Sequence, residues 1–298
     1  MSGAGADAEL IDLRHLGRAH VIGAWRVGEV IVDPGPSSCL QELLPVLERQ
    51  PPRAFALTHI HLDHAGATGS LLRRFPDAEV WVHERGAPHL VDPAKLLASA
   101  TRLYGADMER LWGEVAPVPA ERVRVLHGGE TLGDFRVAYT PGHASHHVSY
   151  LHEPSGRAFT GDVTGVRIDG ACVLAPTPPP DIDLDAWHSS LELIEAWRPS
   201  SLAPTHFGSY DDVARQLAAL REQLMSAREL ARAGDEMAFV AATRAQVLAS
   251  STPEAAAVYE QAMPPAQSFR GLVRYLERSS SVERDRRGAC VGRTWRSS

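Results

Sequence analysis

The stretch Thr58-His59-Ile60-His61-Leu62-Asp63-His64-Ala65-Gly66 puts three imidazoles and a carboxylate within six residues. In an extended or tightly turned segment His59 and His61 fall on one side and can chelate one ion. Asp63 and His64 lie past the turn, where they can face a neighbouring ion. The block follows Ala54-Phe55-Ala56-Leu57, a short apolar run that reads as a strand. Its ligands therefore stand at a strand's carboxyl end, a common position for catalytic groups in sheet-based folds.

Farther out, three more ligand types recur in the same setting of strand end, turn residue, then side chain. Phe135-Arg136-Val137-Ala138-Tyr139 leads to Thr140-Pro141-Gly142-His143, and Arg157-Ala158-Phe159-Thr160 leads to Gly161-Asp162. Ser201-Leu202-Ala203-Pro204 leads to Thr205-His206. Taken singly, each reads equally well as a turn aspartate or a loop histidine. With the first block they complete a set of seven ligands: His59, His61, Asp63, His64, His143, Asp162 and His206.

The remaining segments read as alternating strands and helices. His20-Val21-Ile22 and Glu29-Val30-Ile31-Val32 suggest a hairpin with Gly28 near its turn, stopped by Asp33-Pro34-Gly35-Pro36. A helix is expected from about Leu40 to Leu47, and strands at 79–83, 123–126 and 148–151. From Asp92-Pro93 to about Val115, apolar residues recur three and four apart, which predicts a helical insert with Asp92 as N-cap and Pro93 first in the helix. A Pro-rich loop, Ala175 to Asp183, precedes a helix around 186–196. Beyond Asp211, Val213, Leu217, Leu220, Leu224, Ala227 and Leu230 mark a helix with one buried face. The last helix is expected around Phe269–Arg278, and the polar, Arg-rich 279–298 reads as a disordered tail.

At 298 residues and 44% apolar, the chain can bury a sizeable core. A formal charge of −7 without a basic run before the C-terminus argues against long nucleic acids as partners, which need a basic footprint. The opening MSGAGADAEL lacks the pattern of a secretory leader, and no apolar run nears the roughly 18–20 residues that span a bilayer. The expectation is a cytoplasmic protein that acts on a small molecule without membrane or nucleic acid. Oligomeric state stays open, a dimer included. Cys39, Cys172 and Cys290 form no paired motif and read as free thiols.

The order H-x-H-x-D-H, then His, Asp and His, resembles the metallo-β-lactamase superfamily, especially its glyoxalase II-like and thioesterase or lactonase branches. The resemblance covers about residues 10 to 210 and includes Val32-Asp33-Pro34-Gly35. It implies an α/β fold, a four-layer αβ/βα sandwich, here with a C-terminal helical extension. On this reading 10–210 is the catalytic domain, with the insert at about 92–115, and 211–278 is a helical cap. By motif, His59, His61 and His143 would hold one metal; Asp63, His64 and His206 would hold the second, with Asp162 bridging. His147 matches a position that orients a ligand. The β-lactam-degrading, nuclease and flavin-dependent branches fit less well: this chain has Asp162 where the first use a Cys ligand, and lacks the others' inserted domain, basic exosite or flavodoxin domain.

The expected activity is hydrolysis of a thioester or ester by a metal-bridged hydroxide, with Asp63 and Asp162 as catalytic residues. The cofactors are two divalent ions, zinc first, although imidazole and carboxylate also suit iron and manganese. An acyl thioesterase or glyoxalase II-like enzyme ranks ahead of a lactonase. A mononuclear-iron, persulfide-type dioxygenase on the same scaffold is the rival from another class, and a binding protein with a vestigial site is a third reading. Leu96, Leu97, Leu103, Tyr104, Met108 and Trp112 offer either an apolar substrate pocket or plain packing. Arg221 and Arg228 are candidate grips for an anionic thiol, and Tyr210 reads as an oxyanion donor or, more simply, a packed loop tyrosine.

Overall fold

The computed structural model describes residues 8–291, with backbone alone for 281–291. One sheet has six strands in chain order: β1 (Glu9–Asp12), β2 (Gly23–Val27), β3 (Val30–Val32), β4 (Ala54–Ala56), β5 (Glu79–His83) and β6 (Val123–Leu126). The second sheet runs in the order β11 (Ser201–Pro204), β10 (Arg157–Gly161), β9 (Val148–His152), β8 (Phe135–Tyr139) and β7 (Thr131–Leu132). The first sheet carries α1 (Leu40–Arg49), α2 (Leu62–Ala65), α3 (Thr68–Arg74) and α4 (Ala87–Val91) in its crossovers. Then come α5 (Ala94–Tyr104), α6 (Met108–Trp112), α7 (Leu184–Ala196), α8 (Val213–Arg232), α9 (Glu236–Leu248), α10 (Pro253–Ala262) and α11 (Pro265–Val291).

Strand side chains alternate between faces, and the central strands are buried on both, whereas the edge strands β1, β6 and β7 each expose residues to solvent. On β3 to β5, Val30, Val32, Ala54, Ala56 and Trp81 turn towards the other sheet, while Ile31, Phe55, Val80 and Val82 pack under α1 and α3. In the second sheet Val148, Tyr150, Phe159 and Ala203 face inwards, and Leu151, Ala158 and Leu202 pack against α7, α8 and α11. Three apolar layers separate four structural ones: the fold is the αβ/βα sandwich read from the sequence.

The C-terminal helices are part of this packing. Leu217, Leu220, Leu224 and Ala227 of α8 join Trp187, Leu191 and Ile194 of α7, with Phe269 and Leu272 from α11. Tyr259 of α10 receives the Ile168 amide at 2.9 Å and donates to the Cys172 carbonyl at 2.6 Å. Cys39 and Cys172 are free thiols.

Several local expectations shift. The first hairpin strand begins at Gly23, not His20, because His20 adopts a left-handed backbone (φ 64°) that ends extended structure. Strands β1 and β7 are four and two residues long and carry too little pattern to read. The single helix expected over 92–115 is two helices parted at Gly105, whose φ of 54° breaks the run. Pro93, not Asp92, is the N-cap of α5, although the Asp92 carboxylate does accept from the Ala94 amide at 3.2 Å. The last helix continues to Val291 rather than ending near 278. The low apolar content of that stretch is what resembled a disordered tail. Residues 292–298 of that tail lie outside the described residues. No helix among those described is long and apolar enough to cross a membrane.

Gly271 of α11 lies so close to the Pro-rich loop that a Cβ there would fall on the Thr177 carbonyl. Gly271→Ala should therefore cost about 1–3 kcal/mol, read as a lower thermal midpoint, whereas an unchanged midpoint would show that the helix seats with slack.

Candidate metal centre

All seven ligand candidates converge where strands of the two sheets end side by side. The sheets are joined at that edge: the Val148 amide donates to the Thr58 carbonyl at 2.8 Å, and the Gly23 amide to the Thr205 carbonyl at 2.9 Å. Tyr150 Oη reaches the Leu57 carbonyl at 2.8 Å, and Trp25 Nε1 the Pro204 carbonyl at 3.1 Å. Gly161 is required where β10 turns into Asp162, because φ is +48° and a Cβ would strike the Thr58 side chain.

Three clusters of donor atoms result, each with its atoms within 4.8 Å of one another: His59, His61 and His143; His59, His64 and Asp162; and Asp63, His64 and His206. Asp162 sits between the two outer groups. Its Oδ1 is 3.4 Å from His64 Nε2 and 3.7 Å from His206 Nε2, and its Oδ2 is 3.4 Å from His143 Nε2.

Hydrogen bonds assign the tautomers. Thr58 Oγ1 donates to Asp33 Oδ2 at 2.7 Å, so its oxygen is free to accept from His59 Nδ1 at 3.1 Å. His64 Nδ1 donates to Asp33 Oδ2 (2.8 Å), His206 Nδ1 to the Val21 carbonyl (2.6 Å) and His143 Nδ1 to the Pro176 carbonyl (2.8 Å). Four Nε2 atoms are thereby turned inwards, the arrangement that metal-binding imidazoles need. His61 turns its Nδ1 to the same point, 2.9 Å from His59 Nε2 and 3.0 Å from His143 Nε2.

This donor set fits divalent cations. His64 Nε2, His206 Nε2 and Asp162 Oδ1 are fully buried yet have no hydrogen-bond partner, a costly state in a folded protein unless an ion satisfies them. The three carboxylates of the centre, Asp33, Asp63 and Asp162, form ion pairs with histidines and with no Arg or Lys among the described residues. Buried negative charge of this density calls for positive charge.

Protonation follows the same division. Burial depresses His59 well below the ordinary imidazole value and His61 to about 3, helped by neighbouring imidazoles. Burial works against the charged form of His64 too, but Asp162, Asp63 and Asp33 outweigh it and raise its pKa well above normal. Burial alone would raise Asp162; His64, His206 and His143 instead hold it well below the carboxylate range.

The centre forms part of the lining of a cavity of about 580 Å³. Leu96, Ala100, Leu103, Tyr104, Leu111 and Trp112 from α5 and α6 line it together with the Pro-rich loop and residues 261–268. These helices thus do both things the sequence allowed: Ala100 and Trp112 pack with Leu62, and the same face borders open space.

Other expected roles change. His147 does not hydrogen-bond a ligand; it stacks on His59 (centroids 5.1 Å apart) with Nδ1 on Thr140 Oγ1 at 3.0 Å. Asp33 is the orienting group instead. Arg221 pairs with Glu195 at 2.6 Å, and neither it nor Arg228 lines the cavity. Tyr210 donates to the Arg167 and Phe207 carbonyls as a packed loop residue, while Tyr104 is the tyrosine that borders the cavity. His15, stacked on Trp112 and bonded to Gln261, also lines it. Its only sequence signal was an isolated histidine, because both partners are remote in the chain.

Comparison with known proteins bears on this geometry. Residues 28–206 match the family model described as "Metallo-beta-lactamase superfamily". The Metallo-beta-lactamase fold-containing protein ST1585 of Sulfurisphaera tokodaii is 34% identical over 160 residues, 51% of this chain and 59% of the relative. A Hydroxyacylglutathione hydrolase of Buchnera aphidicola is 30% identical over 135 residues, 45% of this chain and 41% of the relative. The matched stretch thus spans about half the length of these curated relatives. Among solved structures, an archaeal superfamily protein from Sulfolobus tokodaii superposes with a TM-score of 0.69 at 24% identity, over 89% of this chain and 97% of the other, which shows the shared fold. A protein solved in a di-iron-bound form, TTHA1623, gives a TM-score of 0.51 at 26% identity, over 74% of this chain and 96% of the other. With more than half of its length matched by the family model, and with the fold and the histidine-rich clusters in place, the chain belongs to the metallo-beta-lactamase superfamily, a family mostly of hydrolytic metalloenzymes that typically bind two metal ions.

Proposed function

We propose that the protein is a two-metal hydrolase of thioester or ester bonds. The observation that carries this reading is the convergence of His64 Nε2, His206 Nε2 and Asp162 Oδ1, buried without a hydrogen bond among the described residues, beside a cavity with an apolar wall. The similarity to hydroxyacylglutathione hydrolases supports the thioester in particular.

His59, His61 and His143 would hold one ion, Asp63, His64 and His206 the other, with Asp162 shared. Bound divalent ions supply a water of lowered pKa and positive charge for the scissile carbonyl. Asp63 and Asp162 divide the remaining work by exposure. Asp162 is sealed in (side chain 5% exposed) and fixes the spacing of the two groups, whereas Asp63 (21%) opens to the cavity and can align the attacking water as well as hold an ion. The apolar face of α5 and α6 would exclude bulk water and seat the acyl group. Tyr104, whose phenol burial keeps protonated, can donate a hydrogen bond there.

Zinc is the first choice of metal, and a di-iron form of a structural relative keeps iron in view. A panel of uncharged thioesters, lactones and phosphodiesters tests the reading. Thioester cleavage should dominate and disappear on chelation; preferred turnover of phosphodiesters, or turnover untouched by chelation, would overturn it. Asp33→Asn should lower the thermal midpoint and, in protein still folded by circular dichroism, weaken metal affinity about 10–100-fold in chelator competition. Unchanged affinity would remove Asp33 from its orienting role.

A further inference from the structure

The cavity lining also contains a cationic stretch that the metal centre does not use. It comes from the segment after β5: Arg85 in the turn before α4, His89 on α4 and Lys95 in the first turn of α5. Neither Lys95 nor the His89 ring makes a side-chain hydrogen bond or ion pair among the described residues. The Arg85 guanidinium lies 5.8 Å over the Tyr139 ring, a contact that leaves its hydrogen-bond donors free. Arginines on the surface elsewhere are commonly spent in ion pairs, as Arg73 is on Glu114 and Arg74 on Glu48.

No carboxylate lies within ion-pair distance of Arg85, His89 or Lys95 among the described residues. Glu84 is 3.2 Å from His127, Asp107 pairs with Arg110 at 3.0 Å, and Asp181 accepts from the Ser145 hydroxyl. A chain with a formal charge of −7 thus keeps two cations without ion-pair partners among the described residues, and a histidine, on the lining of the cavity that holds the metal ligands. Lys95 is moreover the one lysine among 30 basic residues. Its ammonium is a point charge on a flexible stem, able to follow an anion that arginine's rigid fork would fix.

We infer that Arg85, His89 and Lys95 form a subsite for an anionic group, a phosphate or carboxylate, at the end of the substrate remote from the scissile bond. The apolar wall of Leu96, Leu103 and Trp112 takes the uncharged portion, and the metal centre acts on the bond between them. The substrate is then amphipathic and charged at one end, an assignment that rests on the thioester reading above.

The single lysine makes a direct test. Reductive methylation with a ¹³C label preserves its charge and gives one side-chain resonance besides the amino terminus. Coenzyme A (phosphates) and glutathione (carboxylates) should move that resonance, while pantetheine, an uncharged thiol, should not at the same concentration. Arg85→Glu should weaken binding of the anionic thiols at least tenfold. In turnover, Arg85→Glu with Lys95→Glu should raise KM for a coenzyme A thioester about tenfold, with kcat retained and the matching pantetheine thioester within twofold. If pantetheine thioesters bearing a terminal acyl carboxylate show that loss and coenzyme A thioesters do not, the anion sits on the acyl side. A lysine signal unmoved by both anions, moved equally by pantetheine, or a variant that loses charged and uncharged substrates alike would overturn the subsite. Anion-dependent shifts in a protein that cleaves no thioester would support the subsite and refute the thioester reading instead.

Discussion

Asp33 stands at the end of β3 and accepts four hydrogen bonds: from the Thr58 amide and hydroxyl, from His64 Nδ1 and from the Thr205 hydroxyl. Thr58 and, on α2, His64 follow β4 while Thr205 follows β11, so one fully buried carboxylate ties the two sheets together. The same bonds set the tautomer of His64 directly and that of His59 through Thr58. Fold closure and ligand orientation are therefore one interaction. The charge that this buries, with Asp63 and Asp162 beside it, has no guanidinium or ammonium to offset it among the described residues, and bound cations are the natural counterweight.

Around this rigid edge the molecule divides its labour. The sheets carry the ligands at strand ends and hold them by backbone and threonine hydrogen bonds. The helices α4 to α6, the Pro-rich loop and residues 261–268 surround the open space. The Pro176 carbonyl fixes His143 Nδ1 while Pro178 borders the cavity, so one loop serves both the centre and its surroundings. Substrate choice can vary through the helices without disturbing the ligands, the usual separation of scaffold from specificity.

How much of this was legible depends on how local each signal is. The block from His59 to His64 concentrates its chemistry within six residues, and His143, Asp162 and His206 share the same strand-end setting. Short apolar runs marked most of the strands, but the layered sandwich was legible only through the resemblance that the ligand pattern carries. Other features depend on contacts between distant segments. The positive φ of His20 moved a strand start, Gly105 split a helix, and the polar residues after Ser279 resembled a loose tail although the last helix runs on through them. His147 occupies the expected orienting position yet stacks on His59 instead, which spacing cannot reveal. The cationic wall escaped because Arg85, His89 and Lys95 form no motif, although a lone lysine in an arginine-rich chain was a visible sign.

The central claim is that this centre is built for two ions. Elemental analysis of the purified chain after equilibration with zinc, iron or manganese, repeated on Asp162→Ala, measures it directly. The account requires two ions per chain in the native protein and a clear loss when the shared carboxylate is removed. A single iron per chain, with Asp63, His64 and His206 leaving no mark on metal content when replaced, would contradict it and favour oxygenase chemistry on the same scaffold.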